Sequence, residues 1–175
     1  SLYKNLRKYN HRVVVETVRQ VIKDYDIKDF IYLNCFNPYC GGTLPKDLNP
    51  KLNIYQCIDD MTQEAYTARH GARVEDEVIS EADLVFVTSK NLKRLKKPVN
   101  PNTHIIHNAA DLSIFSEALE KEFIRPEEIR NVKGRMIGFT GNMDPNRVDY
   151  PLLNKIAERH PDKTLVLVGP VNSDE

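Results

Sequence analysis

At 175 residues the chain is long enough for one domain, or for parts of two. Lys plus Arg number 25 and Asp plus Glu number 25, so the formal net charge is 0 and there is no basic excess with which to hold nucleic acid. With 41% hydrophobic residues and no apolar run near the roughly 20 residues of a membrane span, the composition excludes both a disordered tail and a membrane-embedded chain.

The opening segment SLYKNLRKYNHR is polar and holds no apolar h-region of a signal peptide. Over 13–25, Val14, Val18, Val21, Ile22 and Tyr25 recur at helical spacing. FIYLNCF (30–36) reads as a buried strand, and NPYCGGTLPKDLNP, with its prolines and paired glycines, as a loop. NIYQCI (53–58) is a second strand, followed at once by Asp59 and Asp60. Over 66–82 the pattern is helical, with Ala72, Val74, Val78, Ile79 and Ala82 as its buried face. Glu75, Asp76, Glu77 and Glu81 form an acidic face, expected to be mostly solvated. LVFVTS (84–89) is a β-branched strand whose Ser89 is placed to cap a short helix over 91–95. Pro98 and Pro101 interrupt the chain before THIIH (103–107), a strand that runs into Asn108.

Residues 109–133 hold one weak helical stretch and then EKEFIRPEEIRNVKG, a charged surface connection and candidate domain boundary. RMIGFTG (135–141) is a strand ending in a glycine loop. Leu152, Leu153, Ile156 and Ala157 mark an amphipathic helix over 150–160, and TLVLVGP (164–170) is the last strand. Strands alternate with helices and are near-continuously apolar. This predicts an α/β fold with parallel sheets and helices on both faces, Rossmann-like. Cys35, Cys40 and Cys57 lack C-x-x-C spacing and are expected to be free thiols of a reducing, cytoplasmic compartment.

In such sheets ligands bind beyond the carboxyl ends of the strands. That rule selects Asn34, Asn37, Asp59, Asp60, Thr88, Ser89, His107, Asn108, residues 140–142, Gly169 and Pro170. Gly141, in G-F-T-G-N, stands where a strand turns and backbone N–H groups can approach a phosphate; a plain strand-to-helix turn is the other reading. Arg147, just beyond, pairs with that phosphate or is a solvated surface arginine. Asp59 and Asp60 suit a general base or acceptors for sugar hydroxyls; alternatively one caps a helix and the other is solvated. An acidic phosphoacceptor pocket lacks its later lysine. The five histidines show no H-E-x-x-H spacing, so no metal site is expected; His70 reads as structural, and His107 stands beside the crevice. No G-x-S-x-G element points to a hydrolase.

The order of these pieces resembles a family. EDEVISEADLVFVTSKNLKRLK, then IIHNAADLSIF, then MIGFTGNMDPNRVDYPLLNKIAERHPDKTLVLVGP looks like the middle of a nucleotide-sugar-dependent glycosyltransferase of the GT-B fold. The pattern "E, seven residues, A-D, strand, S" falls on Glu75, Ala82, Asp83 and Ser89. The element "N-G-x-D, then F" falls on Asn108, Ala109, Asp111 and Phe115, with alanine in place of glycine. The likeness spans about 53–170.

The resemblance implies two Rossmann-like domains, with 1–115 the later half of an acceptor domain, 116–133 a linker and 134–175 the first β-α-β of a donor domain. It implies sugar transfer from a nucleotide-sugar donor to a carbohydrate or lipid-linked acceptor, in cell-surface polysaccharide or glycolipid synthesis. No metal or other cofactor is implied, since backbone dipoles and basic side chains stabilise the leaving diphosphate. Asp59 and Asp60 would act on the acceptor side as catalytic residues; Asn108, Gly141, Asn142 and Arg147 would hold the donor and its phosphates. Asn142 replaces an arginine common in the family, and the family's acidic donor motif has no counterpart here. The chain is accordingly expected to be an internal, incomplete fragment, inactive alone.

A non-catalytic nucleotide- or sugar-binding module is the alternative. Lys90, Lys93, Arg94, Lys96 and Lys97 form a basic cluster that either touches anionic headgroups at the inner membrane face or is a solvated helix face. Open strand edges in an incomplete sheet predict a homodimer.

Overall fold

The computed structural model describes residues 2–63 and 65–171. They form two compact units, Ser1–Ala110 and Asp111–Glu175.

The first unit opens with helix α1 (Leu2–Asp24), which starts well before Val13. Its first turns were not visible as an apolar stripe because Leu6 and Tyr9 face solvent. Strands β1 (Tyr32–Cys35), β2 (Asn53–Cys57), β3 (Leu84–Val87) and β4 (Thr103–Ile105) follow. They pair in that order in one parallel sheet, with Asn34 level with Tyr55, Tyr55 with Val85 and Val85 with Thr103. Partners in parallel strands share a face. These four are buried, and Cys57 and Val87 continue the same face.

Helices α2 (Ala65–Ala68) and α3 (Gly71–Glu81) connect β2 to β3, and α4 (Lys90–Lys96) connects β3 to β4. Val78, Ile79 and Ala82 of α3 and Leu92 of α4 pack on Tyr55, Cys57, Val85 and Val87 to make the main core. Each fully buried aliphatic side chain contributes roughly 1.5–3 kcal/mol. A second cluster sets Val15 of α1 against Leu44 and Leu48, beside Tyr32. The other sheet face is half-buried or exposed at Leu33, Cys35, Gln56, Phe86 and His104, with Ile54 its buried member. The fold is thus α/β with a parallel, Rossmann-like sheet.

One helix was expected over 66–82; the chain instead breaks between α2 and α3. A Cβ at Gly71 would lie 2.9 Å from the Tyr39 hydroxyl, so α3 begins at a tight approach. Its preceding residue, His70, stacks on Tyr3 with ring centroids 4.4 Å apart, a structural role. Ser89 caps α4 as expected, its Oγ accepting from Leu92 N at 3.2 Å. All three cysteines are free.

The second unit contains α5 (Leu112–Glu120), β5 (Arg135–Thr140), α6 (Tyr150–Arg159) and β6 (Lys163–Val168). β5 and β6 pair in parallel from Arg135–Lys163 to Thr140–Val168. Asp149 caps α6, its Oδ1 accepting from Leu152 N at 2.9 Å. No described helix is long and apolar enough to cross a membrane.

Candidate functional site

A crevice of about 510 Å³ lies beyond the carboxyl ends of β2, β3 and β4. Asp59 and Asp60 reach it from the end of β2, Thr88 and Ser89 from β3, His107 and Asn108 from β4, and Asn91 and Leu92 from α4. Three apolar strands ending in polar residues produce this arrangement, which is why the sheet-end rule found it.

The strand ends are tied together. Thr88 donates its hydroxyl to the Ile58 carbonyl at 2.8 Å. His107 Nδ1 lies 3.0 Å from the Thr88 carbonyl. A carbonyl only accepts, so Nδ1 carries the proton, and in the neutral ring Nε2 is left as an acceptor.

The two aspartates differ. Asp60 Oδ1 accepts from Thr62 N at 2.9 Å and Thr62 Oγ1 at 2.7 Å, and Oδ2 accepts from Gln63 Nε2 at 3.4 Å. The Thr62 hydroxyl and amide are the main causes holding its carboxyl below the ordinary range. Asp60 is thus an anion that closes a turn and is a weak base. Asp59 is exposed, and its carboxylate makes no hydrogen bond or ion pair with another described residue. Its carbonyl accepts from Cys57 Sγ at 3.4 Å.

Asn108 is exposed at the crevice. Ala109, standing where the family has glycine, needs no left-handed backbone, since the non-glycine residues described at positive φ are Asp26, Phe36 and Asn49. Asn34 and Asn37, also selected by the sheet-end rule, are structural instead. Asn34 Nδ2 donates to the Asn37 carbonyl at 3.0 Å and the Gly42 carbonyl at 2.9 Å, folding the loop back onto β1.

In the second unit, Gly141 and Gly169 bring the ends of β5 and β6 into backbone contact. A Cβ on Gly169 would lie 1.7 Å from the Gly141 carbonyl oxygen. Gly141 N donates to the Val168 carbonyl at 2.9 Å, so its own N–H is committed to the strand pair. The next amide, Asn142 N–H, has no acceptor among the described residues, while Asn142 Oδ1 accepts from Asp144 N at 3.0 Å. Arg147 is exposed in the same loop, its N–H bonded to the Asp144 carbonyl at 2.8 Å. Asp59, Asp60 and Asn108 therefore share one crevice of the first unit, and Gly141, Asn142 and Arg147 share one loop of the second.

The basic cluster is corrected at one position and the acidic face at another. Lys96 is buried and ion-paired with Glu75, itself fully buried, so neither is solvated. Charge on a helix face does not reveal a partner on another helix, and no sequence signal marked this pair.

No protein-family model matches the chain, and no curated protein or solved structure matches it.

Proposed function

We propose that this chain belongs to a nucleotide-sugar-dependent glycosyltransferase of GT-B type, and that the crevice of the first unit receives the sugar acceptor. The observation that supports this most is the meeting of an uncommitted carboxylate, an imidazole and an amide at the carboxyl ends of β2 and β4, in a volume suited to a small ligand. Hydroxylated ligands call for such mixed acceptors and donors. In this reading Asp59 takes the proton of the acceptor hydroxyl. The hydroxyl oxygen bonds to the anomeric carbon of the donor, and the bond from that carbon to the diphosphate oxygen breaks, its electron pair leaving with the diphosphate. In the first unit Asn108 is assigned to the donor; in the second, taken by itself, the Gly141–Asn142 turn and Arg147 are assigned to the donor's phosphates, the Asn142 amide and the guanidinium stabilising negative charge. Asp60 shapes the turn beside Asp59.

Calorimetric titration of the chain with UDP, GDP and their glucose and mannose conjugates, at low salt and without added metal, tests the reading. Saturable micromolar binding of one nucleotide, weakened by Arg147→Gln, is expected. Failure of every nucleotide and conjugate to bind overturns the assignment of the Gly141 loop to the donor.

A further inference from the structure

A cavity of about 340 Å³ opens in the first unit between α1, the loop after β1, and α3. It is separate in its residues from the sheet-end crevice and stands without the glycosyltransferase reading. One side carries basic residues. Lys4, Arg7, Lys8 and His11 follow the i, i+3, i+4, i+7 spacing of one helical face, and all line the cavity.

Across from them are Gly42 and Thr43 of the loop, with Glu77 and Glu81 of α3. Both carboxylates already have partners. Glu77 Oε2 pairs with Arg7 Nη1 at 2.5 Å, and its other oxygen pairs with Arg73. Glu81 Oε2 accepts from the Thr43 hydroxyl at 2.9 Å.

The donors are less well matched. Lys4 and Lys8 make no hydrogen bond or ion pair with another described residue, Lys4 adding only a longer-range attraction to Glu77. The backbone N–H groups of Gly42 and Thr43 have no acceptor among the described residues. His11 Nδ1 lies 3.2 Å from the Cys40 carbonyl and so donates to it, which holds the ring against Gly42. A Cβ at residue 42 would lie 2.8 Å from His11 Cε1, and φ there is +52°, so the position is kept for glycine on both counts. The cavity thus brings together two ammonium groups and two amide donors with no oxygen acceptor assigned to them.

We propose that this cavity is a binding site for a phosphate monoester, with Lys4, Lys8 and the Gly42 and Thr43 amides as donors to its oxygens. Backbone amides in a glycine-containing turn, together with ammonium groups, are a recurrent way of holding phosphate. The cavity exceeds the size of a bare phosphate, leaving room for the ester's alcohol.

The test is a ¹H–¹⁵N NMR titration of the whole chain with inorganic phosphate and with glycerol 3-phosphate at low salt. Saturating shifts centred on Gly42 and Thr43 are expected. The affinity should fall as sodium chloride is added, because exposed charges are screened. Lys4→Gln with Lys8→Gln should weaken binding about tenfold or more, through the loss of two charge-assisted hydrogen bonds. Lys8→Arg, which keeps the charge, should retain binding, and Lys90→Gln on α4 should leave it unchanged. Phosphatidylcholine vesicles with and without phosphatidic acid separate the two sources of the ester. Phosphatidate-dependent co-sedimentation lost in the double variant assigns a lipid headgroup; binding of the soluble esters alone assigns a free metabolite. Absence of saturable shifts at Gly42 and Thr43, or equal affinity in the folded double variant, overturns the proposal.

Discussion

Lys96 Nζ lies 2.6 Å from Glu75 Oε2, with the two side chains 8% and 0% exposed. The contact joins α4 to α3 beneath the sheet. It is an ion pair by distance, while Tyr55 donates its hydroxyl to the other carboxylate oxygen at 3.0 Å. Breaking one partner of such a pair leaves a buried charge, whereas removing both need not. Lys96→Met should cost about 3–5 kcal/mol in urea denaturation. Lys96→Met with Glu75→Met should recover part of that loss, the Tyr55 hydroxyl being left without its acceptor. A double variant no better than the single one would show that the pair does not act as a unit.

The same network sets the alkaline limit of stability. Burial first, and the Glu75 charge second, push the Tyr55 hydroxyl above its ordinary value of 10.0. For Lys96, burial opposes the charge, but Glu75 and Asp76 together outweigh it, and the net direction is also upward. Groups whose folded pKa is raised stabilise fully below the unfolded value and lose that contribution as pH rises through the folded one. Stability should therefore be level near neutrality and fall above about pH 10. Tyr55→Phe should make that alkaline slope shallower in pH-dependent denaturation.

Asn100 is buried beside the end of α3. Its Nδ2 donates to the Ile79 carbonyl at 2.9 Å and the Ala82 carbonyl at 2.8 Å, closing the end of α3. Its Oδ1 accepts from Asn102 N at 2.9 Å. Asn100→Ala strands these groups in a buried site and should cost about 2 kcal/mol. Asn100→Asp keeps the shape but turns a carboxylate toward two carbonyls, so it should cost at least as much at neutral pH.

What could be read from sequence follows from where the physics is local. The runs LVFV and TLVLV are apolar on both sides, as strands of a parallel sheet need, and Ser89 is a cap whichever way α4 turns. The crevice residues Asp59, Asp60, His107 and Asn108 were legible because each directly follows such a strand. The roles within the crevice were not. Asp60 looks like its neighbour until Thr62 and Gln63 are seen to close on it. The Glu75–Lys96 pair and the Lys4–Gly42 cavity were illegible for a second reason. Each joins segments far apart in the chain, through side chains whose usual place is in solvent.

Gly169 and Gly138 provide a contrast inside one small sheet. A Cβ on Gly169 would overlap the Gly141 carbonyl oxygen, and φ there is +154°. Nothing lies within 4 Å of a Cβ on Gly138, in the middle of β5. Gly169→Ala should force the two strand ends apart and cost on the order of 3 kcal/mol. Gly138→Ala should be neutral or stabilising by up to about 1 kcal/mol, since a strand interior gains from losing glycine's freedom. Amide exchange at Gly141 N–H, bonded to Val168, reports the damage locally.

Asp59 and Asp60 should separate by what each variant harms. Asp60 accepts three hydrogen bonds within its own turn, and these hold its carboxyl below the ordinary range. A depressed folded pKa stabilises above the unfolded value, and that contribution is lost as pH falls through the folded one. Asp60→Ala should lower stability by about 1 kcal/mol at neutral pH, with the difference from the parent shrinking in acid. Asp59→Asn removes no such bond and should leave thermal unfolding within about 0.5 kcal/mol of the parent. If Asp59 is the proton acceptor for sugar transfer, the same variant, placed in a form of the protein that shows sugar transfer, should reduce kcat about 100-fold. Asp60→Ala, measured well below its melting temperature, should reduce it less. The opposite ranking would move the base to Asp60 and make its hydrogen bonds to Thr62 a feature that must open during turnover.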